Sequence, residues 1–164
     1  MFFTSKRKKV AKEVLDHIRP LFRTVETTAG HQPVRFVNDH YVLGFVVGSA
    51  GFVAKSVSDN TLSPSDIGLV STDVIEGLFG KSGISSVQQA MSLLKQGQNP
   101  EFQKGIANGQ KTVLVALGGA GELATDPDVK AAIAQIPDNQ SSAGAAILQQ
   151  RLFYDYVFAK YGGG

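Results

Sequence analysis

The stretch HYVLGFVVGSAGFVAKSV, His40–Val57, decides the fold. The 14 residues 41–54 carry no charge, and Asp39 and Lys55 bracket them. Three readings compete. A membrane span needs about 20 apolar residues to cross a hydrocarbon core of roughly 30 Å, whereas 14 residues of helix reach only about 21 Å. A hairpin draws on the strand preference of Val, Phe and Tyr, with GSAG (48–51) as its turn. A helix would place Gly44, Gly48 and Gly51 on one side, at i, i+4 and i+7. Its other sides would carry Val42, Leu43, Phe45, Val46, Val47, Phe52 and Val53, the pattern of a buried helix, with Asn38 or Asp39 as N-cap. Glycine costs about 1 kcal/mol at each interior helical position, so this reading demands packing that compensates. The flanking segments all read as helix, and the helical reading is preferred. Gly44, Gly48 and Gly51 then form either a packing seam, within the monomer or between two copies, or the wall of an apolar pocket.

Working outward, a first helix is expected from about Ser5 to Val25. Val10, Val14, Ile18, Leu21 and Val25 make its apolar stripe, and Pro20 should kink or divide it. After residue 57, Ser63, Pro64 and Asp66 have the spacing of a capping box with proline at the first helical position. Ile67, Val70, Val74 and Leu78 continue that helix and Gly80 stops it. A short helix carries Ile84, Val87, Met91 and Leu94. Asn99-Pro100 opens another, with Phe102, Ile106, Val113 and Leu117 at helical spacing and Gly105 and Gly109 weakening it. Asp126-Pro127 opens a short helix, and a last one is expected from about Gln140 to Tyr161. The sum is an all-α domain over residues 1–164, an irregular bundle of six to eight helices around a buried Gly-rich central helix. Residues 1–9 are expected to be a flexible basic end and 162–164 a frayed tail.

Composition narrows the chemistry. The 164 residues are 43% hydrophobic and 18% charged, which is globular rather than disordered. Cys and Trp are absent. Disulfides, thiolate catalysis and Cys-ligated metals are therefore excluded, and a cytoplasmic location is expected. Net charge is +2, but residues 1–23 hold seven basic against two acidic side chains, leaving the remainder at −3. MFFTSKRKK does not read as a secretory signal, because its two Phe precede the cations and no apolar run follows.

The catalytic and nucleotide motifs are weak. Gly119, Gly121 and Ala124 match a dinucleotide fingerprint, yet Asp126-Pro127 interrupts the helix that should follow, so a glycine-rich connection is preferred. Gly80-Lys81-Ser82 resembles the end of a phosphate loop, but Ile75 stands where its first glycine belongs. His17, His31 and His40 lack metal-ligand spacing. No nucleophile elbow or paired carboxylates stand out. No catalytic residue, metal site or cofactor is assigned, and the chain is read as leaning away from an enzyme.

The functional expectation is a non-catalytic association or adaptor domain, acting through a second copy of itself or another protein. Phe153, Tyr156 and Tyr161, from the aromatic run FYDYVFAKY, are its candidate partner surface. The alternative is a helical pocket for an apolar or amphiphilic small molecule, walled by Gly44, Gly48 and Gly51. A second alternative is a membrane-surface contact through Phe2, Phe3, Lys6, Arg7, Lys8 and Lys9. The same cations could meet nucleic-acid phosphates, a partner disfavoured here because no helix-turn-helix is evident.

Overall fold

The computed structural model describes residues 2–29, 36–57, 62–117, 125–134 and 143–161, and among them every regular element is helical. In chain order the helices are α1 (Phe2–Ala29), α2 (His40–Val57), α3 (Pro64–Phe79), α4 (Gly83–Gln96), α5 (Pro100–Ala116), α6 (Pro127–Ile133), α7 (Ala143–Gln149) and α8 (Asp155–Tyr161). A π turn, Gln150–Tyr154, joins α7 to α8 as one interrupted rod. The chain is an all-α bundle with α2 at its centre.

Helix ends follow local chemistry. Ser63 and Asp66 close the expected capping box, with Pro64 opening α3. The Asn99 side chain accepts from the Phe102 amide at the head of α5. Asp39, rather than Asn38, caps α2: its Oδ1 accepts from the Val42 amide at 3.0 Å. Gly97 ends α4 at φ 65°, a conformation that favours glycine.

Two expectations at α1 change. The helix begins at Phe2, so the segment expected to be a loose end is helical, and it runs unbroken through Pro20 to Ala29. Pro20 is exposed, which puts the backbone bond it cannot make on the solvent side. At α4 the inward face is Gly83, Ser86, Ala90 and Leu93, one residue round from the expected stripe, and Ile84 is 60% exposed. Close approach to α3 is the cause. A β-carbon on Gly83 would lie 3.1 Å from both the Ile75 carbonyl oxygen and the Glu76 Cα, so the smaller face turns in.

Every residue from Tyr41 to Ala50 is buried. Helices α1, α3, α4 and α5 pack around α2, and the C-terminal rod closes the remaining side. There Phe45 meets Phe153 with ring centroids 4.6 Å apart, and Tyr41 stacks on Tyr156 at 3.7 Å. Phe22 of α1 touches Phe36, Phe79 and Phe153, tying three segments to one ring. A smaller cluster of Val129, Leu148 and Leu152 seats α6 and α7 beside α5. Among the described residues α2 is the one helix long and apolar enough to cross a membrane, and 67% of it is buried within the fold.

The tightest contact is between α2 and α5. A methyl group built on Gly44 would sit 2.1 Å from the Phe102 carbonyl oxygen, and one on Gly48 2.1 Å from that of Ile106. The relation is reciprocal: β-carbons on Gly105 and Gly109 would sit 2.2 Å from the carbonyl oxygens of Tyr41 and Phe45. Two glycine pairs at i, i+4 therefore face each other. Contacts advance together along both helices, Tyr41 with Gly105 and Phe45 with Gly109, so the two run parallel. Backbones this close bring Cα–H groups against carbonyls and exclude side chains from the crossing. Gly51 stands apart: its β-carbon would meet only Ile67 Cγ2, at an ordinary 3.8 Å.

The two kinds of glycine respond oppositely to alanine. At Gly44, Gly48, Gly105 or Gly109 a methyl group must push the facing backbones away from each other, an overpacking of about 1–3 kcal/mol or more that exceeds the roughly 1 kcal/mol gained in helix propensity. At Gly68 of α3 nothing lies within 4 Å of the added carbon. Urea denaturation is expected to show Gly48→Ala and Gly105→Ala losing stability and Gly68→Ala gaining up to about 1 kcal/mol. Equal gains at all of these positions would rule out the close crossing.

Candidate functional site

Beside the crossing lies an open groove between α2, α3 and α5. Gly48, Gly51 and Phe52 of α2, Ile67 and Gly68 of α3, and Ile106 of α5 form most of its wall, and Leu94 of α4 stands at its edge. It encloses about 540 Å³. Glycine clears this space: Gly51 and Gly68 point no side chain into it, and neither would clash if it carried one. A second recess of about 240 Å³ shares Phe52 and Gln110 with the groove and continues along α5 past Lys111 and Leu114.

Among the described residues three polar side chains line the main groove: Lys55, Ser71 and Gln110. Ser71 is buried and its hydroxyl donates to the Ile67 carbonyl at 3.1 Å, so it offers little to a ligand. Lys55 and Gln110 are exposed, Lys55 in the last turn of α2 and Gln110 on α5 next to Gly109, which packs on Phe45 and Ser49. The lining is thus mostly apolar, with one exposed cation where α2 ends, a composition suited to an amphiphile.

The sequence-nominated residues separate into three places. Gly44 and Gly48 form the α2–α5 crossing, and Gly48 and Gly51 wall the groove. The basic cluster lies at the start of α1, on a different region of the surface. Arg7 Nε pairs with Asp73 Oδ2 of α3 at 2.7 Å, which ties this end of α1 down. Lys8 and Lys9 are exposed, while the side chains of Phe2 and Phe3 lie outside the described residues. Next to them lies a shallow charged recess of about 480 Å³, in which Lys12 pairs with Asp16 at 2.6 Å and Arg19 donates to the Gly77 carbonyl. His31 and the glycine-rich 118–124 also lie outside the described residues.

Phe153, Tyr156 and Tyr161, expected at a partner surface, are turned to internal use. Phe153 is buried, because the π turn rotates it onto Phe22 and Phe45. The Tyr41 hydroxyl donates to the Leu152 carbonyl within that turn and accepts from Asn108 Nδ2 at 2.8 Å. A π turn disturbs the regular i→i+4 ladder, and the buried Tyr41 hydroxyl donates to backbone within it.

Tyr161 and Lys160 close on Asp39. Tyr161 Oη donates to Asp39 Oδ2 at 2.6 Å, and Lys160 Nζ lies 2.6 Å from the same oxygen. Tyr156 donates to Glu101 at 2.8 Å, with Lys160 Nζ 3.4 Å from that carboxylate. Burial works to raise the Asp39 pKa, but the bonds from Lys160, Tyr161 and the Val42 amide prevail and hold it below 3.8. Burial works to lower Lys160, and its bond to Asp39 prevails and raises it. Burial, then the bond to Glu101, pushes Tyr156 up to about 12, and burial with the bond to Asp39 raises Tyr161 as well. One carboxylate therefore starts the central helix and anchors the last one.

Sequence reasoning missed Gly105, Gly109 and Gly68 as functional glycines, and Asp39 and Asn108 as internal anchors. The Gly105/Gly109 spacing repeats that of Gly44/Gly48 and was a usable signal. The chain matches no known family model, curated protein or solved structure.

Replacing Asp39 by Ala removes a cap and two charge-assisted bonds, and is expected to lower the unfolding free energy by about 2–4 kcal/mol at neutral pH. The pH dependence has a definite sign. Asp39 has a depressed folded pKa, so its contribution is present above pH 3.8 and is lost as pH falls through the lower folded value. Lys160 and the tyrosines have raised folded pKa values, so theirs is lost as pH climbs above about 10. Urea titrations should show the gap between the wild-type protein and Asp39→Ala widest between these limits and narrowing outside them. A gap independent of pH would show that ionised Asp39 does not hold the C-terminal rod.

Proposed function

We propose that the protein is a non-catalytic binding domain that takes an apolar or amphiphilic small molecule into the α2–α3–α5 groove. The observation that carries this reading is the contrast among glycines. Four are pressed against backbone, whereas an added carbon at Gly68 would meet nothing within 4 Å and one at Gly51 only Ile67 Cγ2 at 3.8 Å. Glycine in mid-helix is destabilising unless its bareness is used, and here the bareness maintains a cavity. The cavity's 540 Å³ lies in the range of small-molecule sites, which are mostly apolar with a few placed polar groups. A cytoplasmic setting accords with a sequence free of cysteine.

Self-association is the second reading, favoured by one observation. On α4, Ile84 and Leu94 are 60% and 39% exposed, with Val87 and Met91 half-buried between them. A second copy seated on that stripe would give a light-scattering mass near twice 17.4 kDa, and Ile84→Glu would return it to the monomer value. A monomer at high concentration would end this reading without touching the first.

The groove reading is tested by filling the groove. Gly68→Leu places a side chain in the open space, and circular dichroism checks that the fold persists. Wild-type protein at about 100 times Kd of a medium-chain fatty alcohol or acid should gain roughly 2.7 kcal/mol, seen as a melting rise of several degrees. Gly68→Leu should show no such rise. Absence of a shift in the wild type with every acyl probe, or an equal shift in the filled variant, would refute the site.

A further inference from the structure

Resting on that reading of the groove, we infer that its ligand carries an anionic head group, held at Lys55, with its apolar chain lying along α2 toward Val47. Among the described residues Lys55 is the single charged one in the groove lining. It has no ion pair among the described residues. The acid in the first turn of α3, Asp66, is engaged elsewhere: its carboxylate accepts from the Ser63 amide and hydroxyl in the capping box. Gln110 on α5 adds a neutral, exposed donor to the lining, farther back along the groove.

The rest of the wall sets the other half of the ligand. Gly51 and Gly48 follow Lys55 at successive turns back along α2, with Phe52 beside them, and Ile67 and Ile106 face them. From Lys55 to Val47 is eight residues, about 12 Å of helix, which suits a medium-length acyl chain better than a compact ring system. A cation in the last turn also complements the α2 dipole. That role needs only a charge near the helix end. It does not account for a bare apolar channel leading to that charge.

Calorimetric titration of decanoate and decanol, equal in chain and different in head, separates the possibilities. Wild-type protein should bind decanoate about fivefold more tightly than decanol, the scale of one solvent-exposed charge contact. The preference should shrink as salt rises. Lys55→Met should bind both probes alike at the decanol level, Lys55→Glu should bind decanoate more weakly than decanol, and Lys55→Arg should keep the preference. Equal affinities in the wild type, or a decanoate preference that survives Lys55→Met, would overturn the head-group assignment while leaving the groove intact. Failure of both probes to bind the wild type would overturn the groove reading as well, and with it this inference.

Discussion

The fold depends on how closely two backbones can approach. Helices α2 and α5 meet through Gly44, Gly48, Gly105 and Gly109, and no β-carbon fits at any of these positions. Such an approach is available only to glycine, and only if both helices present it in register. The glycines weaken each helix alone by roughly 1 kcal/mol apiece, so neither helix is a strong independent unit. Their stability is tertiary: dispersion between interlocked backbones, and burial of the large side chains that radiate from α2 on its other sides. Phe45, Val46 and Leu43 are buried because α5 sits close enough for the remaining helices to wrap the pair.

The same device has a second consequence. Where the glycine pattern of α2 passes beyond the crossing, bareness ceases to bring backbones together and leaves space between them. Gly48 belongs to both regimes, touching Ile106 and also lining the groove; Gly51 and Gly68 belong to the second alone. Packing and cavity are therefore continuous. At the opposite end of α2 the chain uses polar chemistry instead. Asp39 caps the helix and receives Lys160 and Tyr161, so the central helix is fastened at its start to the last turn of α8. Buried polar groups of this kind have to be satisfied together, and here the Asp39 carboxylate has a donor on each oxygen.

Much of this was legible in the sequence, and unevenly so. Helix starts were readable because capping is local: Ser63, Pro64, Asp66 and Asn99 act within four residues of themselves. The buried character of α2 was readable because it is apolar all round. The glycine seam was readable on one side only. Gly105 and Gly109 looked like defects in an amphipathic helix, since their value appears only when a partner with matching spacing is set beside them. At α4 the larger residues, Ile84 and Met91, suggested an inward face one residue off, because the α3 backbone at Ile75 and Glu76 lies too close for a side chain at Gly83, and Ser86, Ala90 and Leu93 turn in with it. Phe153, Tyr156 and Tyr161 suggested a partner surface because nothing in the sequence announces a π turn or pairs Asp39 with a hydroxyl 122 positions away. Local chemistry was visible, and chemistry shared between distant segments was not.

Native-state hydrogen exchange tests the central claim most directly, because it ranks the opening free energies of individual helices in the intact protein. If the α2–α5 crossing holds the bundle together, amides of residues 42–53 and 102–113 should exchange only through global unfolding, with one shared free energy and denaturant slope. Amides of α6 and α8 should open earlier. Exchange of α2 at a lower free energy than α3, or of α2 and α5 at two different free energies, would contradict the account.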